Sequence, residues 1–245
     1  MVRITDDILY RVEKPSRYVG GELNEVIKDP KEVDIRFGFC FPDVYEVGMS
    51  HLGSRILYHV LNQRKDTYCE RVYAPWPDME KLMRENNIPL YALETKDHIN
   101  EFNFLAFTLQ YEMSYTNILN MLNMGGIPLR ASERTEKDPL VIAGGPCAYN
   151  PEPLYDIVDI FQLGEGEEGL NDLLDLYQKH KDNFNKEAYL REASHIPSVY
   201  IPSLYDVTYN EDGTIKEFIP KYDDVPKKVK KRIINNFDQV DFPEV

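Results

Sequence analysis

The chain has 245 residues, 42% hydrophobic and 29% charged, enough for one hydrophobic core with a small appendage and far from the composition of a disordered chain. Its formal net charge of −14 works against long-range attraction to a nucleic acid, which needs a basic face to displace counterions. No apolar run approaches the roughly 20 residues that cross a bilayer, and the first residues lack a signal core, so the expectation is a cytoplasmic protein with no membrane partner.

Residues 1–33 are polar, carry Pro15, Gly20, Gly21 and Pro30, and read as an N-terminal extension. Apolar alternation over residues 33–41 predicts a strand ended by Pro42. Leu52, Ile56, Val60 and Leu61 predict a helix over 49–62. A strand follows at 68–73, a helix at 78–86 that Pro77 helps to start, and a brief strand at 90–93. Residues 103–109 form a continuous apolar run, as a strand buried on both faces does. A helix over 114–124 stops at Gly125-Gly126, and strands are predicted at 139–145 and 157–163. Leu170, Leu173, Leu174 and Tyr177 mark one side of an amphipathic helix over 165–181.

Strands alternating with helices imply right-handed crossovers and a mostly parallel, doubly wound α/β sheet of the flavodoxin type, with helices on both faces, over residues 34–198. Residues 199–245 differ. Segments 199–209 and 214–220 flank Asn210-Glu-Asp-Gly213 and read as a β-hairpin. Five basic residues in six follow at 227–232, read as a solvated linker face. The end at 241–245 carries no closing signal and reads as a linker towards a domain missing from the sequence.

In an open parallel sheet, ligands bind beyond the carboxyl ends of the strands. Four loops there carry glycine and polar residues, at 42–48, 108–112, 144–147 and 164–168. The candidate cofactor-binding residues are Asp43, Tyr45, Glu46 and Gly48 of the first, Thr108, Leu109, Gln110 and Tyr111 of the second, Gly144, Gly145 and Pro146 of the third, and Gly164, Glu165 and Gly166 of the fourth. Each has a plain structural reading as well, since glycines make turns and acidic residues oppose a helix dipole. Four such loops at one edge make the case. No catalytic residue stands out, because neither a nucleophile elbow nor a His–carboxylate metal pattern is present. A flavin or nucleotide site would need a Gly-rich phosphate loop after the first strand, and none is there. The three cysteines, Cys40, Cys69 and Cys147, include no C-x-x-C pair and read as reduced thiols in or near the core.

Several longer motifs carry a resemblance. They are Phe41-Pro-Asp-Val-Tyr-Glu-Val-Gly-Met-Ser-His-Leu-Gly53, Ala74-Pro-Trp-Pro-Asp-Met-Glu80, Phe107-Thr-Leu-Gln-Tyr-Glu112 running through Ser114 to Met121, Ala143-Gly-Gly-Pro-Cys147 with Asn150-Pro-Glu-Pro153, and Gly164-Glu-Gly-Glu-Glu168. Together they resemble an uncharacterised family of radical S-adenosylmethionine (SAM) proteins with an N-terminal domain of cobalamin-binding type, over nearly the whole chain from Arg17 onward.

The resemblance implies a module that holds cobalamin, or shapes substrate access, for a radical SAM barrel in cis or on a separate chain. It implies that the iron–sulfur cluster and S-adenosylmethionine belong to that barrel, because the C-x-x-x-C-x-x-C cluster motif is missing here. Cobalamin-binding domains present a lower histidine ligand in a D-x-H-x-x-G loop. Asp43-Val-Tyr-Glu-Val-Gly48 has Tyr45 at that position, so the expectation is base-off cobalamin with Tyr45 shielding the lower face and no histidine ligand. His51 reads as turned away by its helix. The alternative is an interaction or substrate-access domain that keeps the fold and no longer binds cobalamin.

Overall fold

The computed structural model describes residues 4–236, 238, 240 and 242–243, so Asp241, Glu244 and Val245 of the expected linker end lie outside the described residues. A short helix α1 (Asp6–Leu9) precedes strand β1 (Ile35–Phe41). Then come α2 (Tyr45–Ser50), α3 (Leu52–Gln63), β2 (Thr67–Tyr73), α4 (Pro77–Glu85), β3 (Phe104–Thr108), α5 (Tyr115–Met124), β4 (Leu140–Gly144), β5 (Ile160–Gln162), α6 (Gly166–His180) and α7 (Lys186–Ala193). Strands β6 (Val199–Tyr200), β7 (Tyr205–Tyr209) and β8 (Ile215–Pro220) complete the described elements.

The main sheet has the order β2-β1-β3-β4-β5-β6. The first four pairings are parallel, and β6 joins β5 antiparallel. This is the doubly wound order expected of right-handed crossovers that start in the middle of a sheet. The strands are apolar on both faces because helices cover both. Ile35, Phe37, Phe104, Leu105, Val141, Ile160 and Phe161 are completely buried, each worth about 1.5–3 kcal/mol relative to exposure. On one face α3, α6 and α7 pack over Phe37 and Phe104, with Phe104 meeting Tyr177 edge-on at 4.9 Å between ring centroids. On the other, α4 and α5 lie side by side, joined where Arg84 donates to Asn120 Oδ1 (2.7 Å) and Asn123 Oδ1 (3.1 Å).

Three details depart from the sequence expectation. Residues 90–93 form no strand. Lys96 at φ 63° turns the chain back, leaving one bridge between Tyr91 and His98 and a single bond from Leu93 N to Arg71 O. The sixth strand of the sheet is instead Val199–Tyr200, so the separate hairpin begins at Tyr205 and not at 199. The helix expected over 49–62 is broken at His51, whose ψ of 110° is extended.

The N-terminal extension is bound to the domain. Lys28 Nζ donates to the carbonyls of Asn62 (2.8 Å), Arg64 (2.7 Å) and Thr67 (2.6 Å), so its charge caps the carboxyl end of α3. Burial holds its pKa below the ordinary lysine value. Lys28→Met removes all three bonds and is expected to cost about 1.5–3 kcal/mol, read as a lower urea midpoint at unchanged slope. An unchanged midpoint would mean that the extension contributes nothing to the fold.

Candidate functional site

The carboxyl ends of β3, β4 and β5 open into a cleft of about 370 Å³ between α3 and α6. Its floor is sheet residues, Phe39, Ala106, Thr108, Ile142, Gly144 and Gln162. Gly53 and Leu57 of α3 form one wall, and Gly166, Glu167 and Leu170 of α6 form the other. Small residues leave the space open, since a Cβ on Gly166 would come within 3.3 Å of Leu57.

Two glycines are there for their backbone. Gly145 has φ 103°, and a Cβ on it would meet Leu109 O at 2.9 Å. Only glycine turns the chain there at low cost while Leu109 N still donates to Gly144 O. Gly164 has φ 91°, and its Cβ would collide with Arg232 O at 2.2 Å. That contact brings part of the basic run back to the edge. Arg232 N donates to Leu163 O, and its guanidinium pairs with Glu168 and Asp172. At Arg232, at least, the basic run serves the fold.

Of the candidate residues, the structure brings together Thr108, Gln110, Gly144, Gly145, Pro146, Gly164, Glu165 and Gly166, which all line the cleft. It does not bring Asp43, Tyr45, Glu46 and Gly48 to it. Tyr45 donates its hydroxyl to Glu22 Oε1 at 2.7 Å, and Glu46 pairs with Arg17 and Lys14. The N-terminal extension claims both side chains. Burial and the Glu22 carboxylate push the Tyr45 phenol up to about 12, so it stays neutral at physiological pH. Gly48 lets Tyr73 pack where its Cβ would be. Asp43 accepts from its neighbour Val44 N and from the Tyr111 hydroxyl at 3.2 Å. That bond ties the first two loops together outside the cleft. Leu109 is fully buried in the core.

Two residues that sequence reasoning set aside or missed belong to the cleft. The break between α2 and α3 makes His51 the N-cap of α3 and turns it to the cleft. Its Nδ1 accepts from Ser54 N at 3.1 Å and lies 2.8 Å from Ser54 Oγ, which places the neutral ring's proton on Nε2. Burial lowers its pKa, opposed by a hydrogen bond with Gln110. Gln110 Nε2 donates to Thr108 Oγ1 at 2.6 Å, and both residues line the cleft together with His51. The second residue is Gln162. Its Nε2 donates to Ser198 Oγ (2.7 Å) and Glu165 O (3.3 Å), while its buried Oε1 has no partner. A buried carbonyl without a donor is costly, on the order of 1–3 kcal/mol. The available signal was a polar residue ending an otherwise apolar strand.

Exposed apolar side chains stand at the same edge, Leu52 at the start of α3 and Tyr111, Met113 and Tyr149 on the connections between elements. Cys40 and Cys69 are buried on β1 and β2, and Cys147 is half-buried after β4. Among the described residues no group of three His, Cys, Asp or Glu side chains is placed to hold a metal ion, and no helix is long and apolar enough to cross a membrane.

A family model described as the N-terminal part of radical SAM proteins matches residues 53–202. That span contains α3 from its second residue, the three cleft-forming loops and both walls. An uncharacterized protein of Methanocaldococcus jannaschii is similar, 26% identical over 128 residues that cover 52% of this chain and 23% of that protein. The chain therefore matches less than a quarter of that relative's length. No solved structure matches.

Proposed function

The chain belongs to the family of radical SAM N-terminal domains, and on that premise we propose that it is a cofactor-positioning module. It holds a cobalamin-type cofactor at the carboxyl edge of its sheet and presents it to the barrel of a radical SAM iron–sulfur protein, supplied in cis or as a separate chain. The observation that carries this reading is the cleft itself. Three loops at the carboxyl edge converge on it, its walls are trimmed by glycines, and the polar Gln162 lies in its floor.

These residues fit an elongated, partly polar group such as the nucleotide tail of cobalamin. Gly53, Thr108, Gly144, Gly145, Gly166 and Gln162 would hold it, with the mouth left for the bulkier ring. When bound, such a cofactor supplies methyl-group or electron transfer. The chain's own residues orient it and exclude water beneath it. Gln110 matters here, since its bond to Thr108 Oγ1 fixes the amide and offers the ligand one defined face.

Tyr45, neutral and bonded to Glu22, lies outside the cleft lining, so in this reading it does not shield the lower face of the ring. His51 Nδ1, the lone-pair nitrogen of the neutral ring, is taken up by Ser54 N, and Nε2 carries the proton. Reduced cobalamin bound to the chain is therefore expected to show no nitrogen superhyperfine splitting in its paramagnetic resonance spectrum. A triplet lost in His51→Ala would make His51 the ligand instead.

The primary test is an absorbance titration of the chain with hydroxocobalamin and methylcobalamin. Saturable spectral change is the expected result. No change at millimolar cobalamin sinks this reading and favours a second one, an interaction or substrate-access domain that keeps only the fold. The exposed Leu52, Tyr111, Met113 and Tyr149 at the mouth favour that second reading, since they suit a docking face as well as a ring.

A further inference from the structure

Helix α3 has a second cavity on its other side, larger than the cleft. It measures about 800 Å³ and lies between α3, the ends of β1 and β2 and residues 22–26 of the N-terminal extension. That volume is within the range of small-molecule sites, about 300–1,000 Å³. We propose that this cavity is a separate binding site for a small carboxylate with a flat apolar body, held by Arg55.

The argument begins with the charge of Arg55. Nine other arginines, from Arg17 to Arg232, pair with carboxylates of the chain. Arg55 is half-buried and lines the cavity, yet its guanidinium has no hydrogen bond, ion pair or ring contact among the described residues. This is unexpected in a chain with 42 acidic residues. A half-buried guanidinium loses hydration and regains it only through a partner, and its planar fork matches a carboxylate in bidentate fashion.

The carboxylates of the cavity are not that partner, because they are already committed. Glu22 accepts from the Tyr45 hydroxyl at 2.7 Å and from Arg71 at 2.8 Å. Glu25 accepts from Gly21 N at 3.1 Å and lies 3.6 Å from Arg71. The cation open to a ligand is therefore Arg55, with Gln63 two turns further along the same face of α3.

Four rings line the wall, Phe39 and Phe41 at 5% exposed, Tyr58 at 8% exposed and Tyr73, with Leu23, Val26, Met49, Phe242 and Pro243 beside them. Rings favour a flat apolar body, and the guanidinium favours an anion. An amine of the same shape would meet the Arg55 charge, with Glu22 and Glu25 already held by Tyr45, Arg71 and Gly21 N. Phe39 lies in the wall of both the cavity and the cleft, so the two ligands would sit on either side of one helix.

Calorimetric titration of the full chain with phenylacetate, phenethylamine and acetate tests the site. Saturable binding of phenylacetate is expected, with no binding of phenethylamine and at least about tenfold weaker binding of acetate. Arg55→Gln should weaken phenylacetate about ten- to a hundredfold, and Arg11→Gln, a surface control, should leave it unchanged. Arg55→Lys keeps the charge without the fork and should lose less than Arg55→Gln. Thermal melting of each variant separates lost binding from lost folding. No phenylacetate binding by the unaltered chain at millimolar ligand, equal binding of the amine, or full binding by a folded Arg55→Gln variant would overturn the proposal. The site does not depend on the cleft. Blocking the cleft at Gly144 should leave phenylacetate binding intact, and failure of the cobalamin titration would leave this proposal standing.

Discussion

Replacing Asp159 by alanine is expected to destabilise the chain by about 3–5 kcal/mol, the largest stability loss foreseen for any single charged residue here. Asp159 opens β5 at the edge of the sheet opposite the cleft and is 3% exposed. Its Oδ2 accepts from Arg134 Nε (3.1 Å), Arg134 Nη2 (2.9 Å) and Val141 N (2.8 Å). Lys186 Nζ lies 3.0 Å from Oδ1, close enough for an ion pair but poorly aligned for a hydrogen bond. One carboxylate thus neutralises two cations, both drawn in from other parts of the chain. Arg134 also donates to the carbonyls of Pro128, Leu129 and Ile157, and Lys186 to those of Ala131 and Arg134.

Removal of the carboxylate strands a fully buried guanidinium and a largely buried ammonium, and it unpairs Val141 N at the start of β4. Arg134→Met is expected to cost less, because Lys186 and Val141 N still serve the carboxylate it leaves behind. Urea unfolding of the two variants gives the order. If Asp159→Ala costs under about 1 kcal/mol, the network is ornamental and β4 and β5 are held by apolar packing alone.

How much of this was legible in the sequence depended on whether one stretch of chain decided the outcome. The apolar runs at 103–109 and 139–145 gave away buried parallel strands, because only a sheet covered on both faces needs residues such as Phe104, Leu105, Val141 and Ile142 in succession. Glycine pairs after the strands gave away the cleft for a similar reason. Gly145 and Gly164 have positive φ, a local demand written into the local residue. Outcomes set by distant partners were not readable. Tyr45 and Glu46 sit in a loop of the right length after β1, and what turns them from the cleft is Glu22, Arg17 and Lys14 of the extension. The break at His51 follows from a side chain that caps α3 better than it continues α2, while the spacing of Leu52, Ile56 and Val60 reads as one helix either way. Residues 90–93 have strand composition and lose to a turn at Lys96. Arg55 is conspicuous only for the partner its guanidinium lacks, which has no trace in sequence, while Gln162 left the signal of a polar residue ending an apolar strand.

The cleft reading meets its most direct challenge at Gly144. Gly144→Leu is expected to weaken hydroxocobalamin binding by about a hundredfold or more while leaving the fold intact. Gly144 is not one of the positive-φ glycines, so a side chain imposes no backbone strain. Its Cβ would sit 3.5 Å from Gln162 O and 3.8 Å from Gln162 Cβ, ordinary van der Waals contact, so the first carbon is accommodated. The remaining carbons of leucine enter the cleft floor, between Thr108 on β3 and Gln162 on β5, in the space a ligand tail would need. Gly145→Ala is the contrasting variant. Its Cβ meets Leu109 O at 2.9 Å at a φ of 103°, so it should lower stability by about 1–2 kcal/mol by disturbing the turn that ties β4 to the loop after β3. Thermal melts and absorbance titrations on the same samples separate the two effects. Wild-type affinity in a folded Gly144→Leu variant would place bound cobalamin somewhere other than the cleft. An unfolded Gly144→Leu variant would show that the floor is packed too tightly to hold any tail, which removes the ground for the cofactor reading and leaves the exposed edge around Tyr111, Met113 and Tyr149 as a docking face.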